Sequence, residues 1–242
     1  MFNVVITGVS SGIGHALAKS YLDEGHNVFG FSRSVPANLE HENFHHQSLD
    51  LTELDAIPAA IQNLLIDEGG ISHVDYLYLH AGQFSHRIAS LKETPQAEID
   101  YLMRLNVWSN KAILDAVLER GMTVKTCMFS ASIAGIRARA GNNSYALSKA
   151  TLLMLAKLYA LENKDIFFAV LGLCLVDTPM TRKAALLPVD ERFADVKALL
   201  ERSLQPGYVT TVDERVQKIR LVLEARHLVS IESGDFVEIR SL

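Results

Sequence analysis

Three features of the sequence together predict a doubly wound α/β fold, a parallel sheet covered by helices on both faces. Strand-like and helix-like patterns alternate along the 242 residues, which implies βαβ units joined by right-handed crossovers. The runs "YLYLHAG" and "FFAVLGLCLV" are apolar on both faces, as strands between two helical layers must be. The first strand, "FNVVIT", runs into a glycine-rich turn, "TGVSSGIG", directly ahead of a helical pattern.

The elements then follow in order. "GHALAKSYLDEG" has helical spacing, with Ala16, Leu17, Ser20 and Tyr21 on one face and Gly25 closing the helix. "NVFGFS" is a second strand, "LDAIPAAIQNLLIDEG" a helix and "VDYLYLHAG" a third strand. "AEIDYLMRLNVWSNKAILDAVLERG" reads as one long helix. "VKTCMFSAS" is strand-like, "SYALSKATLLMLAKLYALEN" helical and "IFFAVLGLCLV" strand-like. A helical or irregular stretch follows, then a helix near "VDERVQKIRLVLEA" and a last short strand, "DFVEIR". A single domain spanning 1–242 is expected, with a variable segment at about 180–208.

Composition narrows the function. Apolar residues make up 49% and charged ones 21%, as in a globular protein with a large core. The formal charge of −5 offers no concentrated basic face, so no nucleic-acid partner is expected. No run approaches the roughly 20 apolar residues of a membrane span, so no membrane contact is expected. Residues 2–6 read as a strand rather than part of a signal peptide, which makes the cytoplasm the expected location. Cys127 and Cys174 lie in apolar runs and read as buried free thiols. The cluster "HENFHH", His41 to His46, has no ligand spacing on a defined element and reads as a solvated loop, so no metal is expected. His73 and His86 read as loop residues, and Arg137 and Arg139 as part of a solvated loop.

Doubly wound folds bind ligands where the strands end, so the turns after the strands carry the chemistry. In "TGVSSGIG", Gly8, Gly12 and Gly14 allow a tight turn and a close approach to a pyrophosphate, and the helix behind offers its free N–H groups. The second strand ends with Ser32 and Arg33, and no acid follows until Glu40. A carboxylate there would bond a ribose 2′-hydroxyl, whereas a guanidinium suits a 2′-phosphate. NADP(H) is therefore the expected cofactor, with NAD(H) possible.

These residues belong to a larger pattern. "TGVSSGIG", "LDLT" at 49–52, "HAG" at 80–82, Asn106 in "LNVWS", Ser132, the YxxxK pair Tyr145 and Lys149, and "LVDTPM" at 175–180 stand in order at normal spacing. In this the chain resembles the single-domain short-chain dehydrogenase/reductase family, whose fold is Rossmann-like. The resemblance implies a cofactor site formed by Gly8, Ser10, Ser11, Gly12, Ile13 and Gly14, by Ser32 and Arg33, by Asp50 and Leu51 at the adenine, by Ala81 and Gly82, and by Val176 and Thr178 at the nicotinamide. It also implies that Tyr145 is the general acid and base. Lys149 lowers its pKa and bonds the nicotinamide ribose, Ser132 holds the substrate oxygen, and Asn106 maintains a helix kink and a water for proton relay. Two departures stand out: His80 replaces the family's Asn, and Leu173 and Cys174 replace its Pro-Gly pair. The ending "SGDFVEIR" is similar to that of the sepiapterin- and benzil-reductase branch.

The residues support the assignment independently. Tyr145 and Lys149 are four apart on a helix and face one way. A free phenol, with a pKa of about 10, is poorly matched to neutral pH, and a nearby ammonium favours its phenolate. The expected activity is hydride transfer between NADP(H) and a carbonyl or secondary alcohol of a small molecule. The alternatives are an NAD-preferring dehydrogenase of the same family and a cofactor-binding regulator without turnover. Gln83, Phe84, Ile133 and the segment Met180 to Tyr208 are expected to line the substrate pocket. The apolar stripe in "ATLLMLAKLYALE" reads as helix packing or a subunit interface, giving a homodimer or homotetramer.

Overall fold

The computed structural model describes residues 1–225 and 229–242. In chain order the elements are β1 (Asn3–Thr7), α1 (Gly12–Leu22), β2 (Asn27–Ser32), β3 (Phe44–Ser48), α2 (Ile57–Ile61), β4 (His73–Leu79), α3 (Gln96–Met103), α4 (Ser109–Glu119), β5 (Thr123–Ala131), α5 (Asn143–Glu162), β6 (Phe167–Gly172), α6 (Pro179–Ala185), α7 (Ala194–Ser203), α8 (Val212–Glu224) and β7 (Phe236–Glu238). The strands form one sheet in the order β3-β2-β1-β4-β5-β6-β7. Every pairing in it is parallel.

The strand sequences dictate the two-layer core. Alternate residues point to opposite faces. Val5, Phe29, Leu77, Phe129 and Phe168 face one apolar cluster with residues of α2, α4 and α5. Val4, Ile6, Val28, Tyr78, Met128 and Leu171 face a second cluster with residues of α1 and α8. In α1 the buried side includes Leu17 and Tyr21, whereas Ala16 and Ser20 are half-buried. Among the described residues no helix is long and apolar enough to cross a membrane.

The chain moves outward from β1 through β2 to β3, then returns to β4 on the other side, so the switch point lies between β1 and β4. There the Thr7 hydroxyl oxygen accepts the backbone N–H groups of His80 (2.9 Å) and Ala81 (3.0 Å). This holds the turns after β1 and β4 together.

Three expectations are corrected. Of the stretch "HENFHH" read as a solvated loop, Phe44 to His46 begin the edge strand β3, whereas 41–43 lie outside it. Its polar side chains suit an edge with one partner, and two of its histidines have specific contacts. The His45 ring stacks on Phe29 at 4.9 Å, and His46 Nε2 lies 3.0 Å from the Ser32 hydroxyl. His73 is the first residue of β4 rather than part of a loop. Of the two free thiols, Cys127 is buried but Cys174 only half-buried. The expected long helix is continuous from α3 to α4, with a π-helical segment, Arg104–Trp108, between them. Asn106 is at its centre, where the resemblance implies a kink.

Candidate active site

Asn106, Ser132, Tyr145 and Lys149 converge at the carboxyl edge of β4 and β5. Ser132 directly follows β5, and its hydroxyl accepts the Ala134 N–H at 3.2 Å, starting a short turn over Ile133–Gly135. Gly135 lets this turn lie on α5: a Cβ there would stand 2.8 Å from the Lys149 carbonyl carbon and oxygen. Any other residue would push the Ser132 turn away from the helix bearing Tyr145. Nothing local in the sequence distinguishes Gly135 from an ordinary turn glycine.

Asn106 is fully buried. Its Oδ1 accepts the Gln83 N–H at 2.9 Å, and its Nδ2 donates to the Gln83 carbonyl and the Ser148 hydroxyl, both at 3.0 Å. The Ser148 hydroxyl in turn donates to the Tyr145 carbonyl at 2.8 Å. Asn106 thus clamps the loop after β4 to α5, and every polar hydrogen of its amide is engaged. Gly82 makes room for the clamp, since a Cβ there would approach Asn106 Oδ1 to 3.0 Å.

Lys149 is buried and donates to the Ser130 carbonyl at 2.7 Å. Its Nζ lies 5.5 Å from the centre of the Tyr145 ring. Burial disfavours the ammonium and brings its pKa down to about 8. Half-buried Tyr145 packs on Phe84, with ring centres 4.8 Å apart. Burial raises the phenol's pKa, and the neighbouring Ser132 hydroxyl pulls the other way. The net direction is upward, opposite to the lowering by Lys149 that the resemblance implies, because loss of phenolate hydration is the larger influence and the opposing pull comes from Ser132. His80 beside them is held down to about 4 by burial and by the Lys149 charge, and is neutral near pH 7. Its Nδ1 is buried without a hydrogen-bond partner.

The glycine turn is shaped for a close ligand. Gly8 (φ +82°) and Gly12 (φ +60°) occupy the left-handed region. At Gly14 a Cβ would stand 2.4 Å from the Gly8 carbonyl oxygen. Ser11 is the N-cap of α1 but makes no side-chain cap, and the first turn carries no acid. The free N–H groups there suit a phosphate. Ser10 is half-buried, Ser11 exposed and Ile13 buried. The turn is bracketed by Ala81, whose Cα lies 3.1 Å from a Cβ built at Gly8, and by Thr178, whose Cγ2 lies 3.4 Å from one built at Gly12. Together these features fit a dinucleotide.

At the ends of β2 and β3, Arg33 is exposed and free to meet an anion. Ser32 is not free: its hydroxyl is 2.8 Å from the Ser34 carbonyl and is engaged with His46. Asp50 accepts the Thr52 N–H (2.9 Å) and hydroxyl (2.8 Å). Those bonds hold its carboxyl below the usual range, with a smaller contribution from Arg33. Leu51 and Val176 are buried. Thr178 caps α6, accepting the Thr181 N–H at 3.2 Å.

Cys174 explains how the chain follows this path without the family's Pro-Gly. Its φ is +60°, the conformation for which glycine is suited. A non-glycine residue pays about 1–2 kcal/mol there. Replacing it with glycine restores part of that, less roughly 0.5–1 kcal/mol of extra chain entropy in the unfolded state. Cys174→Gly is thus expected to melt about 2 °C above Cys174→Ala, which loses the same Sγ contacts but keeps the strained backbone. A Tm equal to or below that of Cys174→Ala would contradict the assigned strain.

Comparison with known proteins agrees with this geometry. The short chain dehydrogenase family model matches residues 3–186. A short-chain dehydrogenase/reductase, olcF, of Penicillium canescens is 29% identical over 64% of this chain. The match spans 60% of that relative's length. The (S)-benzoin-forming benzil reductase of Bacillus subtilis is 28% identical over 66% of this chain and 67% of its own. Among solved structures, ElxO with NADP bound superposes with a TM-score of 0.78 at 21% identity, covering 99% of this chain and 97% of the other, a likeness of fold. On the family match, the fold and the grouping of Asn106, Ser132, Tyr145 and Lys149, the chain belongs to the short-chain dehydrogenase family of oxidoreductases.

Proposed function

We propose that this protein is an NADP(H)-dependent oxidoreductase acting on a carbonyl or secondary alcohol of a small molecule, with Tyr145 as general acid and base. The observation that carries this reading is the convergence of Ser132, Tyr145 and Lys149 at the same carboxyl edge of the sheet as the uncapped start of α1. The bound cofactor would supply or accept the hydride. Ser132, whose oxygen accepts the Ala134 N–H, bonds the Tyr145 phenol here and would turn its hydrogen to the substrate oxygen once that is bound. Tyr145 donates a proton to the alkoxide. Its raised pKa keeps the phenol protonated near neutral pH, the form that reduction requires. Lys149, brought down to about 8, stays largely charged at pH 7 and is available to the ribose.

NADP(H) is preferred on this reading because exposed Arg33 directly follows β2 and no acid follows it in the chain before Glu40. NADP bound to ElxO, a protein of the same fold, is consistent with this. Calorimetry is expected to give a lower Kd for NADPH than for NADH. Arg33→Asp should remove most of the difference, since a charge-assisted bond contributes roughly 1.5–3 kcal/mol, about a 10–150-fold ratio. Equal affinities in the unaltered protein would reject the preference.

The protein is also proposed to pair through two-fold contacts of its long helices. Trp108, Leu147, Met154, Leu158 and Leu161 are exposed along α5 and the π-helical segment, more apolar surface than isolated side chains would leave. Light scattering at micromolar concentration is expected to give a dimer or tetramer mass; a monomer mass would end this proposal.

A further inference from the structure

We propose that Glu98 is a positioning residue for Tyr145, acting through a one-way chain of two serine hydroxyls that fastens the first turn of α5 to the loop after β4. The proposal rests on the reading of Tyr145 as the general acid.

The first N–H groups of a helix have no partner within it. In α5 the N-cap residue, Asn142, makes no side-chain cap, and its Oδ1 is buried without a partner. The Tyr145 N–H is one of these open donors, and its partner comes from outside the helix: the Ser85 hydroxyl oxygen, at 3.2 Å. Ser85 and Ser144 are both buried, with their hydroxyl oxygens 3.0 Å apart. Ser144 in turn donates to Glu98 Oε1 at 2.8 Å.

Proton bookkeeping fixes the direction of this chain. Each hydroxyl carries one hydrogen. That of Ser144 is committed to the carboxylate, so the Ser85 hydrogen must go to Ser144. The Ser85 lone pairs are then left for the Tyr145 N–H. The carboxylate polarises the whole chain, and bonds in such a chain strengthen one another. The Glu98 side chain is only 7% exposed, so water cannot substitute for Ser144 freely. Its second oxygen, Oε2, pairs with Arg87 Nε at 3.2 Å. Arg87 lies on the same loop as Ser85 and Phe84. The chain ends on a backbone N–H rather than on the phenol, so it aligns Tyr145 and does not relay a proton.

The consequence is geometric. Asn106 and Ser148 fasten one side of the loop after β4 to α5, and Glu98, Ser144 and Ser85 fasten the other. Asn143 adds a bond from its Nδ2 to the Ala89 carbonyl at 2.6 Å. Tyr145 is therefore held both by its own backbone and by Phe84, which rides on the same loop. If the chain is broken at Glu98, Ser144 loses its acceptor and the order of hydrogens is no longer fixed. Misplacing a reacting group by about 1 Å can cost roughly 10²-fold in rate.

The test uses the full chain, NADPH and a ketone that it reduces. Glu98→Ala and Ser85→Ala are each expected to lower kcat about tenfold, with KM and NADPH Kd within about twofold of the parent. In a Tyr145→Phe background, adding Glu98→Ala should leave the residual rate unchanged, because no phenol remains to position. A general structural defect would lower the residual rate as well, and that result would overturn the proposal. So would kcat within twofold of the parent in Ser85→Ala, the variant that decides if Glu98→Ala does not fold. Full turnover in Tyr145→Phe alone would remove the reading on which the proposal rests, and is distinguished by requiring no change at Glu98.

Discussion

Replacing Tyr145 with phenylalanine is expected to lower kcat by roughly 10²–10⁴-fold, the usual contribution of a positioned general acid. The change removes one oxygen and keeps the ring that packs on Phe84. The backbone bonds that hold the residue, from its N–H to Ser85 and from Ser148 to its carbonyl, are also untouched. Cofactor affinity should stay close to that of the parent, because the glycine turn and Lys149 are intact. Lys149→Met should behave differently, harming turnover and NADPH affinity together. The paired readouts are turnover and NADPH fluorescence on each variant. Parental turnover in Tyr145→Phe would refute the assignment of the acid.

The second large effect is expected at Gly14. A methyl group there would stand 2.4 Å from the Gly8 carbonyl oxygen and 3.0 Å from its carbonyl carbon. These are backbone atoms that cannot rotate away. Gly8 is itself fixed, since its N–H donates to the Phe31 carbonyl at 2.7 Å and Ala81 lies against it. Gly14→Ala must therefore displace either the turn or the start of α1. Overpacking of this kind costs about 1–3 kcal/mol of stability. The larger loss should be in binding, because the N–H groups at the start of α1 would no longer converge; NADPH Kd is expected to rise by at least about tenfold. Calorimetry checks this, and a parental Kd would show that the turn does not bind the phosphates.

Much of the fold was legible because its signals are local. The alternation of β-branched runs with helical spacing gives the parallel sheet, and "TGVSSGIG" gives the turn after β1. Tyr145 and Lys149 could be paired from their spacing on one helix. What escaped the sequence reading depends on distant partners. Edge strand β3 carries "FHHQS", whose polar residues look like loop until Phe29 and Ser32 are set beside them. The left-handed backbone at Cys174 is dictated by the path from β6 toward Thr178; the sequence marks the position only as one where the family has glycine. The link from Glu98 to Ser144 crosses 46 positions and that from Ser85 to Tyr145 crosses 60, so neither is visible as a motif. The shift of Lys149 to about 8 follows from burial, which becomes apparent only after packing. Ser32 shows the opposite limit: its position matches the cofactor motif, but its hydroxyl is committed to Ser34 and His46.

Hydride transfer between a nicotinamide and a carbonyl on this chain can be followed by isotope. NADPH carrying deuterium at both C4 positions would be incubated with the protein and a panel of ketones, and the products read by mass spectrometry. One deuterium is expected on the carbinol carbon of at least one product, with an equivalent of NADP formed. Tight NADPH binding with no deuterium transferred to any ketone would contradict hydride transfer, and would favour a cofactor-binding regulator.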